Sequence, residues 1–216
     1  MANVSRVNGF RPVKHLDGSP WNGQVNRYFA SASDGTAIFN GDLVKLAAVS
    51  DTQGQTLLNG SQSVVGGTQG VTAFVAGTDT LAVGVAVGFM VNPLNLNSPQ
   101  YRTASTAMYV LVSDAPDTLY EVQADTSTYP SGSAGIIPST GMTKNYNVSN
   151  AAGGSTTTGF SGMLLQTSSA ATTATLPLKA FGAVQKVDND ITAQNIKMLV
   201  LINNDQYSGG TGTAGV

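Results

Sequence analysis

Cysteine is absent from the 216 residues, and histidine, tryptophan and glutamate occur once each, as His15, Trp21 and Glu121. Without cysteine there is no disulfide framework, no thiolate metal site and no cysteine nucleophile. A single histidine excludes mechanisms that need a histidine pair or several histidine metal ligands, and no Ser/Asp arrangement near His15 resembles a triad. Charge is also scarce. Only 10% of the residues are charged, against roughly 25% in an ordinary globular domain. The scarcity of Glu and Lys argues against helices, whose solvent faces those residues usually cover. A formal charge of −2 argues against a general nucleic-acid binder. The longest apolar run, Leu81 to Val91, is too short to span a bilayer as a helix. The first ten residues hold no apolar signal region, so synthesis in a cytoplasm without export is expected.

What the chain does contain is Thr 24, Ser 20, Asn 16 and Gln 11, about a third of its length, with 25 Gly. Threonine and valine favour strands, and Gly, Ser and Asn favour turns. At 41% the hydrophobic fraction is too high for a disordered chain. The expectation is an all-β protein, a β-barrel or β-sandwich of jelly-roll type with an extended N-terminal arm and long Ser/Thr/Gly-rich loops.

Residues 1–35 read as that arm. They carry Arg6, Arg11, Lys14 and Arg27, with Phe10, Trp21, Tyr28 and Phe29 scattered among Gly and Pro without a period of 2 or 3.6. Such a segment has to lie on its own domain or on a neighbouring chain. The β-domain is expected over 36–207. AIFNGDLVKLAAV suits a hairpin turning at Asn40-Gly41, and Asp51 to Gly70 reads as a loop. Val71–Val75 and Leu81–Val91 read as strands. MYVLV (108–112) and LYEVQA (119–124) read as a hairpin across Ser113–Asp117, with Tyr120, Val122 and Ala124 on one face. LPLKAFGAV and IKMLVLI close the pattern as core strands. Between Thr126 and Leu178 the only charged residue is Lys144, and this stretch reads as a low-charge elaboration of the domain. The tail 208–216 reads as flexible.

The motif search points away from catalysis. Asp114, Asp117, Glu121 and Asp125 cluster as a glycosidase pair would require, but Asp114 and Asp117 occupy turn positions where aspartate bonds its own backbone. GGTQG (66–70) and AAGGSTTTG (151–159) lack the Gly-Lys-Ser/Thr ending of a phosphate loop. Asp188-Asn189-Asp190 lacks the Gly and terminal Glu of a calcium loop and reads as a turn. No enzyme, cofactor, metal site or catalytic residue is expected.

The remaining physical content lies in the surface. Short neutral side chains lose little entropy on ordering and bury without desolvating an ion. They suit a protein packed into a crowded symmetric array. The segments RVNGFRPVKHLDGSPWNGQVNRYF, IFNGDLVKL, GVAVGFMV and LKAFGAV resemble structural proteins of tailed bacteriophages, and among these the capsid decoration (cement) proteins. The resemblance implies a β-barrel or β-sandwich clamp, usually a homotrimer, made in the host cytoplasm and seated outside the head shell where capsomers meet. Its partners would be the major capsid protein and its own copies, with no nucleic acid and no membrane. Phe10, Arg11, Trp21, Tyr28 and Phe29 are the expected contact residues, since aromatics and arginine are enriched at interface centres. Deleting residues 1–30 should then leave a folded domain that no longer binds shells, and binding should depend weakly on salt. The rival reading is a carbohydrate-binding head- or tail-fibre domain that uses Trp21 or the Tyr120/Tyr129 pair as a platform.

Overall fold

A computed structural model describes residues 3–51, 67–91, 96–130, 132, 136–150 and 153–216. The strands are β1 (Arg11–His15), β2 (Asn26–Ala30), β3 (Leu43–Ser50), β4 (Gln69–Ala73), β5 (Gly84–Phe89) and β6 (Met108–Ser113). They continue with β7 (Thr118–Gln123), β8 (Asn145–Ser149), β9 (Leu164–Ala171), β10 (Leu178–Ala183) and β11 (Lys197–Ile202). A short 3₁₀ turn at Ser139–Thr143 precedes β8. The all-β expectation holds. The strands form a closed barrel in the order β2-β4-β3-β5-β6 and a six-stranded sheet in the order β1-β7-β11-β10-β8-β9.

Two apolar clusters explain why several strands are apolar at consecutive positions. One fills the barrel with Tyr28, Ile38, Val44, Val71, Ala86, Val110 and Val112. The other lies between the barrel and the sheet and includes Phe10, Leu43, Val85, Tyr120, Leu178 and Val200. Successive strand residues point to opposite faces. Leu43 and Val85 therefore enter one cluster while their neighbours Val44 and Ala86 enter the other. A strand buried on both faces loses its polar alternation, as in GVAVGF. In β7 one face survives as expected, with Tyr120, Val122 and, just beyond the strand, Ala124 in the inter-sheet core.

Four expectations are corrected. Residues 1–35 lie on their own domain rather than on a neighbour, and the domain does not begin at 36, because β1 pairs with β7 and β2 pairs with β4 and β6. Each covers a strand edge that would otherwise leave unpaired backbone groups. The chain crosses itself at Gly9 and Gly41, where Phe10 N donates to Gly41 O at 2.9 Å. A Cβ on Gly41 would lie 2.6 Å from Asn8 O, and its φ of +95° favours glycine in any case. MYVLV and LYEVQA are not a hairpin. β6 belongs to the barrel and β7 to the sheet, so Ser113–Asp117 carries the chain between layers. Asn40-Gly41 does not join two paired strands either, since Ile38 bridges Arg102 and β3 pairs with β4 and β5.

The tail is docked. Gly215 N donates to Thr172 O and Val216 N to Thr143 O, each at 3.1 Å. Asn145 Nδ2 donates to Thr213 O at 2.7 Å. The loop expected between Asp51 and Gly70 falls largely outside the described residues, as do parts of the segments at 131–135 and 151–159. The rest of the 126–178 stretch supplies β8 and β9, so it builds one end of the sheet.

Candidate functional site

The five expected contact residues separate into buried and accessible groups. Phe10 is 1% exposed and sits in the inter-sheet core, and Tyr28 is 5% exposed and lines the barrel. Neither ring is available to a partner. The Tyr28 hydroxyl donates to Asp114 at 2.6 Å, and burial followed by this bond pushes its pKa well above the ordinary tyrosine value. Phe29 is half-buried with its ring tilted against Tyr109, centroids 5.9 Å apart. Arg11 is exposed and Trp21 is half-buried.

Arg11 and Trp21 meet at the seam between the two layers. A groove of about 210 Å³ there is lined by Arg11, Pro12, Trp21, Val87 and Phe160. The groove exists because β1, at the sheet edge, runs close to β5 of the barrel. Trp21 is held by two contacts. Its backbone N donates to Val13 O at 3.1 Å, and its indole Nε1 donates to Gln24 O at 3.3 Å. Phe160, 43% exposed, was not among the expected residues. Its one sequence signal is that it is the sole aromatic of the segment AAGGSTTTGFSG. The backbone holds it in place, with Ser155 N donating to Phe160 O and Asn40 in a bridge with it.

A second, polar groove of about 470 Å³ lies at the end of β1 and includes His15, Asp17, Asn22, Gln24 and Asp117. His15 Nδ1 is 3.2 Å from Asp117 Oδ1. The Asp17 carboxyl is held below its usual pKa by hydrogen bonds from the Ser19 hydroxyl and backbone N. The fibre reading's Tyr120/Tyr129 platform is not available, because these rings are 1% and 5% exposed.

The clustered carboxylates each have their own partners. Asp114 accepts from Tyr28 and Asn26, and Asp117 faces His15. Glu121 pairs with Lys186 at 2.9 Å, and Asp125 accepts from Ser127 and from Thr167 N. In Asp188-Asn189-Asp190, the Asn189 amide donates to Val184 O and Lys197 O and accepts from Lys197 N, which closes the turn between β10 and β11. Among the described residues no group of three or more His, Asp or Glu side chains is placed to hold a metal ion. Among them, too, no helix is long and apolar enough to cross a membrane.

No family model, no curated protein and no solved structure matches the chain.

Proposed function

We propose that this chain is a capsid decoration protein that binds the outside of a phage head shell at capsomer junctions and stabilises it without turnover. The observation that carries the reading is the seam groove, where Trp21, Arg11 and Phe160 reach solvent on a β body with few charged residues. An aromatic and an arginine at one opening are the residue types that concentrate binding energy at interfaces. A body with 10% charged residues can lie against its neighbours at high density without strong self-repulsion. The partners are the major capsid protein and further copies of the chain, arranged as a homotrimer on local threefold axes of the virion surface. Binding the assembled shell in preference to free subunits would stabilise it by linkage, with repeated weak contacts adding as avidity.

The test uses shells stripped of the chain and then re-incubated with it. Wild type should occupy them in hundreds of copies and raise their resistance to heat. Trp21→Ala, with its fold checked by circular dichroism, should bind about tenfold more weakly. Full occupancy by the variant, or an unchanged shell melting temperature with wild type, would refute the reading. The polar groove with His15, Asp17, Asn22 and Gln24 favours the fibre alternative, since such side chains suit sugar hydroxyls. Glycan-array binding that is lost in Asn22→Ala would support that alternative.

A further inference from the structure

Residues paired across neighbouring strands point to the same side of a sheet, so the register of the six-stranded sheet sorts its side chains into two faces. Tyr120, Val122, Leu178, Met198 and Val200 form the inner face and close the inter-sheet core. The pairs Arg11↔Glu121, Leu199↔Glu121, Lys14↔Leu119, Leu201↔Leu119 and Lys179↔Leu201 define the outer face. Leu119, on this face, is fully buried and belongs to neither core cluster. Phe181, the unpaired residue at the irregularity in β10, is 53% exposed, and Leu199 and Leu201 are half-buried. The Lys14 ammonium lies 5.5 Å from the centre of the Phe181 ring, so these two side chains reach toward each other over β7 and β11.

The same face gathers the protein's positive charge. Arg11, Lys14, Lys179 and Lys197 come from its strands. Arg6 and Lys186 join Arg11 and Lys197 in a groove of about 230 Å³ along it. These are six of the chain's ten basic residues. The carboxylates among them are Glu121, paired with Lys186, and Asp188, paired with Lys197 at 2.7 Å. Lys179 is tethered to Thr213 and Ala214 of the tail. Asp17 and Asp117 lie at one end, in the polar groove beside His15. The face therefore carries a surplus of positive charge on a chain whose net charge is −2.

We propose that this outer sheet face docks an acidic protein surface, which under the decoration reading is an acidic patch of the shell lattice. The identity of the partner rests on that reading, whereas its charge rests on the face alone. An apolar centre of Phe181, Leu199 and Leu201 rimmed by cations has the layout of a protein interface. A nucleic-acid track would need cations following the phosphates through the middle, and here the middle is apolar. The weak salt dependence expected from composition gives way to a pronounced one, because the few charges are concentrated on the contacting side.

The test compares full-length wild type with Arg6→Glu/Lys14→Glu, Phe181→Ser and, as an off-face charge reversal on the barrel, Arg27→Glu. Folding of each is checked by circular dichroism. Binding is measured on stripped shells, on poly-L-glutamate resin, on duplex DNA and on phosphatidylserine vesicles. Wild-type affinity for shells should fall about tenfold as NaCl rises from about 50 to 300 mM. The double reversal and Phe181→Ser should each bind shells about tenfold more weakly, and Arg27→Glu within about twofold of wild type. Wild-type affinity in the first two variants overturns the proposal. If wild type binds no shells, the decoration reading falls and the polyglutamate resin decides the face. Retention lost in the double reversal sustains the proposal, and no retention overturns it. Tighter binding to DNA or vesicles than to polyglutamate also overturns it.

Discussion

Among the described residues Arg102 is one of the largest fully buried side chains. Its guanidinium donates to the carbonyls of Ser31, Asp34 and Thr36, its Nε donates to Thr106 O at 2.8 Å, and it lies 3.5 Å from the Asp34 carboxylate. One forked cation thus gathers the chain that follows β2 and the loop that precedes β6. Arg102→Met should leave these carbonyls unpaired and cost about 3–5 kcal/mol, read as a lower urea midpoint. Arg102→Lys should recover only part of this, because an ammonium cannot reproduce the planar fork. Asp42 is another buried ionisable residue. It is 4% exposed and accepts from Phe39 N at 2.7 Å, and burial pushes its carboxyl pKa up to about 6. Between about pH 4 and 6 the folded state holds this proton and the unfolded chain does not. Its contribution is fully present below about pH 4 and is lost as the pH rises through 6. Asp42→Asn should remove that loss, at most about 3 kcal/mol. The difference in melting temperature between wild type and variant should therefore change across this window, and a constant difference would refute it. Neither residue is singled out by the sequence, because burial of an ion is decided by segments far away in the chain.

At the scale of elements, strand positions were legible and strand partners were not. Leu81–Val91, MYVLV, LYEVQA, LPLKAFGAV and IKMLVLI each contain or overlap a strand. A run of β-branched and aromatic residues is apolar wherever it is buried, which is why their positions could be read. The hairpin expected at Ser113–Asp117 fails because a turn signal fixes a change of direction and not the layer the chain enters next. The first thirty residues lacked a period because β1 and β2 are short and lie in different layers. This reverses the expected outcome of truncation. Deleting residues 1–30 removes β2 from between β4 and β6, opens the barrel, and takes Phe10, Tyr28 and Ala30 from the cores. The truncated chain should lose its cooperative melt in circular dichroism. A cooperative melt at the wild-type temperature would show that these strands are dispensable.

At the scale of the whole molecule, the surface combines a sparsely charged body, an aromatic seam groove and one cationic sheet face. Under the decoration reading these patches would serve a closed oligomer. The purified chain is predicted to sediment as a small closed oligomer of trimer mass at micromolar concentration, and a strictly monomeric boundary would count against the homotrimer. Of the five contact residues expected from sequence, Arg11 and Trp21 are brought together at the groove, Phe29 packs on Tyr109, and Phe10 and Tyr28 are internal. Aromatic content identifies a residue able to anchor a contact. It does not say whether the ring anchors the protein's own core or a partner's.

The composition by itself determined the class of this protein. Few charges, no cysteine, and abundant threonine, valine and glycine leave an all-β body as the economical way to bury a 41% hydrophobic chain. Only the tertiary structure decided which strands close the barrel, which aromatics face inward, and that six scattered basic residues share one face. The physical reason is that alternation and turn chemistry act over a few residues, whereas sheet partners are chosen by contacts between distant segments. The entropy of closing those long loops rises too slowly with length to single out one pairing.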